Sequence, residues 1–462
     1  EFEFSLPTSP DSFVTAPAIE TGCLRYSEAA GSVIVAAMRV VVTTLLCAYV
    51  SATTVVYEFN SIDYVWKSIN DREEAIRSGQ FDPEKNVITG VKVYKSEVYV
   101  TVPRWKSGVP STLNRITVEN GVTLLSPYPD WDLNLLGSCN TFQYVQSMEI
   151  DPLGRMWIID TGKAEGFSYS QDCPAKLVVY DMNGSKIVRS FDFPFDVVPL
   201  NNFLNDIVLD IRSPEEIYAF ISDAASGTIV VYDYKRNQSW KVGDPTMQAN
   251  RDSLTILGVR FNLTTPVDGI ALGPTYQNPR MLYYCPLSSL NLYAVPVDVM
   301  LKSSLSISNR VVRLGEKPSP TDGMIMSNTG ELYFGSLAEN AIYKWNILEP
   351  LNRSGLVVAD DRKMQWVDTF AIDEKGYLWF TTNKLHLFFL NKMNFSESAA
   401  DSNFRVMKTR IFGHSYLIPP NDSIMVTHPM TTLPSGASQN YVFPLPILAM
   451  SLILIWELSK VL

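Results

Sequence analysis

The chain has 462 residues, of which 46% are hydrophobic and 19% charged, and its net charge is −10. Such a chain can bury a large core, which excludes a disordered polymer, and the acidic balance leaves no electrostatic footprint for nucleic acid. The 28 Pro and 24 Gly are scattered and read as turn punctuation, not as a low-complexity tract.

Residues 1–37 show no consistent period and are expected to lie outside the mature protein. Met38-Arg39, the apolar run Val40–Val50 and the exit Val50-Ser51-Ala52 have the order of a secretory signal peptide, which assigns residues 38–52. The run is short for a bilayer span. The mature chain is expected to begin near Thr53 and to form one domain over 53–420, followed by a linker over 421–440.

The stretch 441–462 is strongly apolar from Tyr441 to Trp456, and the small residues Ser435-Gly436-Ala437-Ser438 precede it. Three readings stay open for it: a GPI signal, a membrane helix or a gene-model artefact. The expected location is extracellular, with membrane attachment only through that tail.

An oxidising compartment has independent support. Sequons begin at Asn183, Asn237, Asn262, Asn352, Asn394 and Asn421, and six of them beside a signal peptide point to glycosylated surface loops. Three cysteines fall in the mature chain. Cys139 and Cys173 could close a loop worth roughly 3–4 kcal/mol of chain entropy, which leaves Cys285 as a buried free thiol.

The middle of the chain repeats itself. An apolar strand, often led by Asp, is followed by a turn and a second strand with an aromatic pattern. The copies are Thr89–Val93 with Val98–Val100, Ser147–Asp151 with Met156–Ile158, and Asn205–Leu209 with Ile217–Phe220. Three more follow: Val267–Ala271 with Met281–Tyr284, Thr321–Ile325 with Glu331–Phe334, and Val367–Ala371 with Tyr377–Phe380. Six strand-rich units without intervening amphipathic helices predict an all-β fold, a six-bladed β-propeller, whose radial packing removes long free edges. The alternating segment Val55–Asp63 is expected to close the ring with the last blade.

In a propeller the first strand of each blade lines the central channel. Asp206, Asp268, Asp322 and Asp368 lead that strand in their copies, so the repeat gathers them at one mouth; Asn340 and Asn383 fall in loops near a propeller face, and His386 could reach the mouth from its loop. A repeated Asp also serves as a turn cap. Converging carboxylates repel, so the functional reading is a site for an amine, or for a hard cation such as calcium or magnesium. No metal site and no cofactor is assigned. The G-x-S-x-G, P-loop, G-x-G-x-x-G and H-E-x-x-H motifs are absent, which argues against common hydrolases, kinases and dehydrogenases. An isomerase that needs one carboxylate and a pocket stays open.

Several segments, in order, resemble the yellow / major royal jelly protein family of insects. They are Val102-Pro103-Arg104-Trp105 with Gly108–Asn114 and Tyr128-Pro129, Val145–Asp151, Gly154–Trp157, Asp160-Thr161-Gly162, Cys173–Leu177, and Asp368-Thr369-Phe370 with Leu378-Trp379-Phe380. The resemblance implies a secreted propeller with a role in pigmentation, dopachrome conversion in melanin synthesis, nutrition or amine capture. It also implies a ligand site around Asp368 and Asn383, with Leu385 where amine binders carry an aromatic, which predicts weaker stacking on an amine. The family commonly pairs the cysteine at Cys285 with a fourth one that this chain lacks. Three functions follow. The first is conversion or binding of a catechol-derived molecule such as dopachrome, with Asp368 or His386 as base and Asn383 orienting a quinone oxygen. The second is non-catalytic binding of biogenic amines, and the third a structural cuticle or extracellular glycoprotein.

Overall fold

The computed structural model describes residues 53–165, 173–302, 306–396, 401–411 and 413–419. The signal-peptide, linker and tail segments, and Asn421, lie outside the described residues. Six four-stranded antiparallel sheets follow one another in chain order. Their innermost strands are Val91–Tyr94, Val145–Ile150, Leu204–Ile211, Val267–Leu272, Met324–Met326 and Trp366–Ile372 for blades 1 to 6. The predicted repeat falls on the two inner strands of every blade, although in blade 5 the inner strand begins only at Met324, after Thr321–Gly323.

The inner pair of each blade is mostly buried because both faces are covered by neighbouring blades, and polar residues such as Gln146, Ser147 and Glu149 are buried with it. Ile217–Asp223 and Met281–Pro286 are buried at every position. The outermost strand of blade 2, Lys186–Asp192, reads as mostly exposed, which suits a rim. Blade 6 takes its outer strand from the other end of the chain: Thr54–Phe59 pairs antiparallel with Phe404–Arg410. That closure leaves the ring without a seam of unpaired inner edge.

The repeated Asp-Gly pairs have a geometric cause. Inner strands of adjacent blades approach so closely that a side chain on Gly269 would meet the Asp322 carbonyl oxygen at 2.2 Å, and one on Gly323 would meet that of Asp368 at 2.0 Å. In blades 3, 4 and 6 the pairing register slips, between Leu204 and Ile207, Val267 and Ile270, and Val367 and Phe370. Each slip is a bulge that spans an Asp, and a bulge re-aims a side chain. The acids therefore turn toward the axis while their neighbours stay in the sheet.

The end of the described chain forms a strap over the far end of the channel. Asn328 and His414 exchange two hydrogen bonds, Asn328 N–H to the His414 carbonyl at 2.8 Å and His414 N–H to Asn328 Oδ1 at 2.9 Å. Two residues on, the buried Tyr416 hydroxyl accepts from Leu209 N–H at 3.0 Å and donates to Glu149 Oε2 at 3.2 Å. No helix among the described residues is long and apolar enough to cross a membrane.

Candidate functional site

The near mouth of the channel opens into a cavity of about 410 Å³, in the size range of small-molecule sites. Its base is acidic, with Asp268, Asp322 and Asp368 on the lining, and its walls include Trp105, Phe203, Phe261, Trp366 and Phe389. The carboxylates are held by specific donors. Asn205 Nδ2 donates to Asp268. Trp366 Nε1 donates to Asp322 Oδ2 at 2.6 Å. Asn383 Nδ2 donates to Asp368 Oδ2 at 2.8 Å and Thr369 Oγ1 to Asp368 Oδ1 at 3.1 Å.

Burial and mutual repulsion set the titration of this cluster. Burial first, then the Asp206 and Asp368 charges, push Asp268 well above the usual carboxylate range. Burial, then Asp368 and Asp268, do the same to Asp322. Both carboxyls therefore hold their protons to higher pH than an isolated aspartate, because burial and the neighbouring charges disfavour ionisation. Burial raises Asp368 to about 6, against the lowering effect of its bonds from Asn383 and Thr369. The base of the cavity thus offers protonated carboxyls beside a carboxylate that is mostly ionised at neutral pH. Among the described residues no three such side chains are arranged to hold a metal ion.

The other sequence-predicted residues divide. Asp206 lies deeper than the cavity, in the narrow channel with Lys92 and Glu149, where burial raises it to about 6. Lys92 Nζ bonds Glu149 Oε2 at 3.2 Å and the Phe370 carbonyl at 3.3 Å. Leu385 lines the cavity.

Asn383 is buried one layer back. Its amide is committed to Asp368, to the Ile88 carbonyl at 3.1 Å and to Leu385 N–H at 3.0 Å. It positions Asp368 and has no group left for a quinone oxygen. His386 does not reach the mouth: the helix Leu385–Phe389 turns it behind Trp366, with the rings stacked 6.3 Å apart. Burial and Lys384 lower it to about 4, so it is neutral near pH 7. Asn340 sits outside the cavity at a turn of blade 5, with left-handed backbone (φ 51°) and its amide bonded to Asp361 at 2.9 Å.

The aromatic wall was not predicted as a set. Phe261 comes from a hairpin, Ser253–Ile256 with Val259–Asn262, inserted between blades 3 and 4, and stacks on Phe389 at 6.2 Å. Trp105 packs 5.2 Å from Phe389. The segment that carries it is fixed by Arg104, a fully buried guanidinium that donates to the carbonyls of Val109, Pro110, Asn134, Phe142 and Gln143. Burial lowers Arg104 to about 10. The Val-Pro-Arg-Trp motif is therefore a structural knot that presents one cavity aromatic. Cys139 and Cys173 are joined with Cα atoms 5.2 Å apart, and Cys285 is free and buried.

A model of the family described as major royal jelly protein matches residues 143–414. The chain belongs to the major royal jelly protein family. Relatives within it include Protein yellow of Drosophila yakuba, 27% identical over 371 residues that cover 76% of this chain and 67% of that protein. Protein yellow of Drosophila subobscura is 28% identical, with 76% and 64% covered. This yellow-like chain thus spans about two thirds of the length of those relatives. Among solved structures, a luciferin-regenerating enzyme superposes with a TM-score of 0.43 at 14% identity, covering 73% of this chain and 94% of that one. The matched region of the royal jelly family holds blades 2 to 6, and with them all three cavity carboxylates.

Proposed function

We propose that this yellow-like protein is secreted, acts in pigmentation, and uses the mouth cavity to bind and isomerise a catechol-derived molecule such as dopachrome. The observation that carries the reading is Asp368: a carboxylate on an aromatic-walled cavity, held by Asn383, with its pKa raised by burial to about 6. A general base works best with a pKa near the operating pH. In a tautomerisation the Asp368 carboxylate would take the ring-carbon proton while the electron pair moves through the ring to the quinone oxygen. A proton held by the raised Asp268 or Asp322 carboxyl would pass to that oxygen.

The test is decay of the orange dopachrome chromophore with the purified protein, against buffer and against Asp368→Asn. Acceleration abolished by the substitution, and rising with pH through about 6 in the parent protein, supports the reading. Decay at the buffer rate removes catalysis.

A second reading has its own support. Three buried carboxylates facing Trp and Phe side chains also suit a protonated aromatic amine, and the rings of Trp105, Phe261 and Phe389 supply the stacking surface that Leu385 cannot. Saturable dopamine or serotonin binding without turnover would select it.

A further inference from the structure

The cavity is not only acidic. Among the described lining residues Lys163 is the one cation, and nothing in the isomerisation step uses it. Its side chain is 5% exposed, and its hydrogen bond goes to the Asn202 carbonyl at 2.6 Å. An ammonium carries three donors, so a buried one with a single acceptor is under-satisfied, and burial accordingly pulls its pKa down. The carboxylate whose charge reaches it, Asp223, is already occupied: it accepts from Phe203 N–H at 2.8 Å, Ala225 N–H at 3.2 Å and the Ser226 hydroxyl. The carboxylates of Asp268, Asp322 and Asp368 are bonded by Asn205, Trp366, Asn383 and Thr369, and no ion pair among the described residues joins Lys163 to them.

The position of Lys163 is built, not incidental. It follows the turn Asp160-Thr161-Gly162, in which Asp160 accepts from the Gly162 N–H at 2.9 Å and from Gln143 and Tyr144 N–H at 2.8 and 2.9 Å. Gly162 has φ +77°, and a side chain there would strike the Cys173 carbonyl oxygen at 2.2 Å. Cys173 N–H donates back to the Gly162 carbonyl at 3.1 Å, so the disulfide to Cys139 anchors the turn that presents the lysine.

We infer that Lys163 is a specificity-determining residue that pairs with a carboxylate on the ligand, so that the cavity takes aromatic amino-acid derivatives in preference to their decarboxylated amines. A ligand with a ring, a nitrogen and a carboxylate matches the aromatic wall, the acidic base and the lysine together. A plain amine leaves the ammonium under-satisfied. This rests on the reading of the cavity as a catechol site.

L-dopa and dopamine share the catechol and the amine and differ in the carboxylate, so calorimetric titration of the full secreted protein with both isolates the effect. A charge-assisted bond of this kind is expected to give L-dopa about tenfold tighter binding. Lys163→Met should remove that preference by weakening L-dopa alone, and Lys163→Arg should keep most of it. Should the methionine variant fail to fold, L-dopa methyl ester on the parent protein reads the same quantity, because capping the carboxylate should reduce it to the dopamine level. Equal affinity for L-dopa and dopamine, with both lost in Asp368→Asn, overturns the role of Lys163 while the catechol reading stands. Equal weakening of both ligands by Lys163→Met overturns it too, as a structural effect. No saturable binding of either ligand removes the catechol reading and this inference together.

Discussion

A side chain on Gly323 would stand 2.0 Å from the main-chain oxygen of Asp368. Two inner strands are therefore in backbone contact at the point where two acids enter the cavity. Gly323→Ala must push blades 5 and 6 apart, and overpacking of this kind costs about 1–3 kcal/mol. Urea unfolding should show that loss, and ligand affinity should fall with it, because Asp322 and Asp368 move with their strands.

Stability should decrease as pH rises through the window set by Asp206 and Asp368. Both are raised to about 6 in the folded protein, and in the unfolded chain an aspartate titrates near 4. Between about pH 4 and pH 6 the folded state holds the extra protons, so unfolding free energy falls as pH rises through this interval and the penalty is complete above it. Asp206→Asn should flatten that fall. Urea midpoints near pH 4 and near pH 7.5, compared between parent and variant, measure it. An unchanged slope would contradict the assignment.

Arg104→Lys should be severe even though charge is retained. A guanidinium reaches five carbonyls where an ammonium has three donors, and the carbonyls of Val109, Pro110, Asn134, Phe142 and Gln143 cannot all be satisfied. A loss of roughly 2–5 kcal/mol is expected, read as a lower thermal midpoint and reduced yield.

Removing the Cys139–Cys173 link by paired serine substitution should cost roughly 3–4 kcal/mol, given the 34-residue separation. If the link also anchors the Lys163 turn, selectivity for the carboxylate should drop in any fraction that still folds. Equal stability of the paired variant and the parent would remove the anchoring role.

Asn183, Asn237, Asn262, Asn352 and Asn394 are all exposed and should carry glycans in an insect-cell product, seen as a mass loss on glycosidase treatment. Asn183 is expected to be the least occupied, because its Nδ2 is bonded to the Leu153 carbonyl at 3.2 Å and a sugar there displaces that bond.

The parts of the site legible in the sequence are those that the repeat dictates. Asp268, Asp322 and Asp368 hold equivalent places in equivalent strands, so periodicity alone predicts their convergence. Asp206 is offset by one: between the bulge partners Leu204 and Ile207 it is Asn205 that takes the place of Asp268 and Asp368, and Asp206 falls one residue further along, in the narrow channel. Positions outside the repeat had no such guide. His386 and Asn340 belong to loops whose course depends on packing, behind Trp366 in one case and against Asp361 in the other. Phe261, Trp105 and Lys163 come from insertions and turns with no periodic signal. The nearest clue was that Trp105 and the turn before Lys163 belong to segments shared with the family.

The strap that places Tyr416 between Leu209 and Glu149 has a kinetic consequence. Below the acids the channel narrows to a void of about 10 Å³, room for about one water molecule. A guest in the mouth cavity cannot pass this constriction and must leave past the same aromatic rings that admitted it. Entry and exit at that mouth are therefore mutually exclusive, so a bound guest should compete with the next arrival.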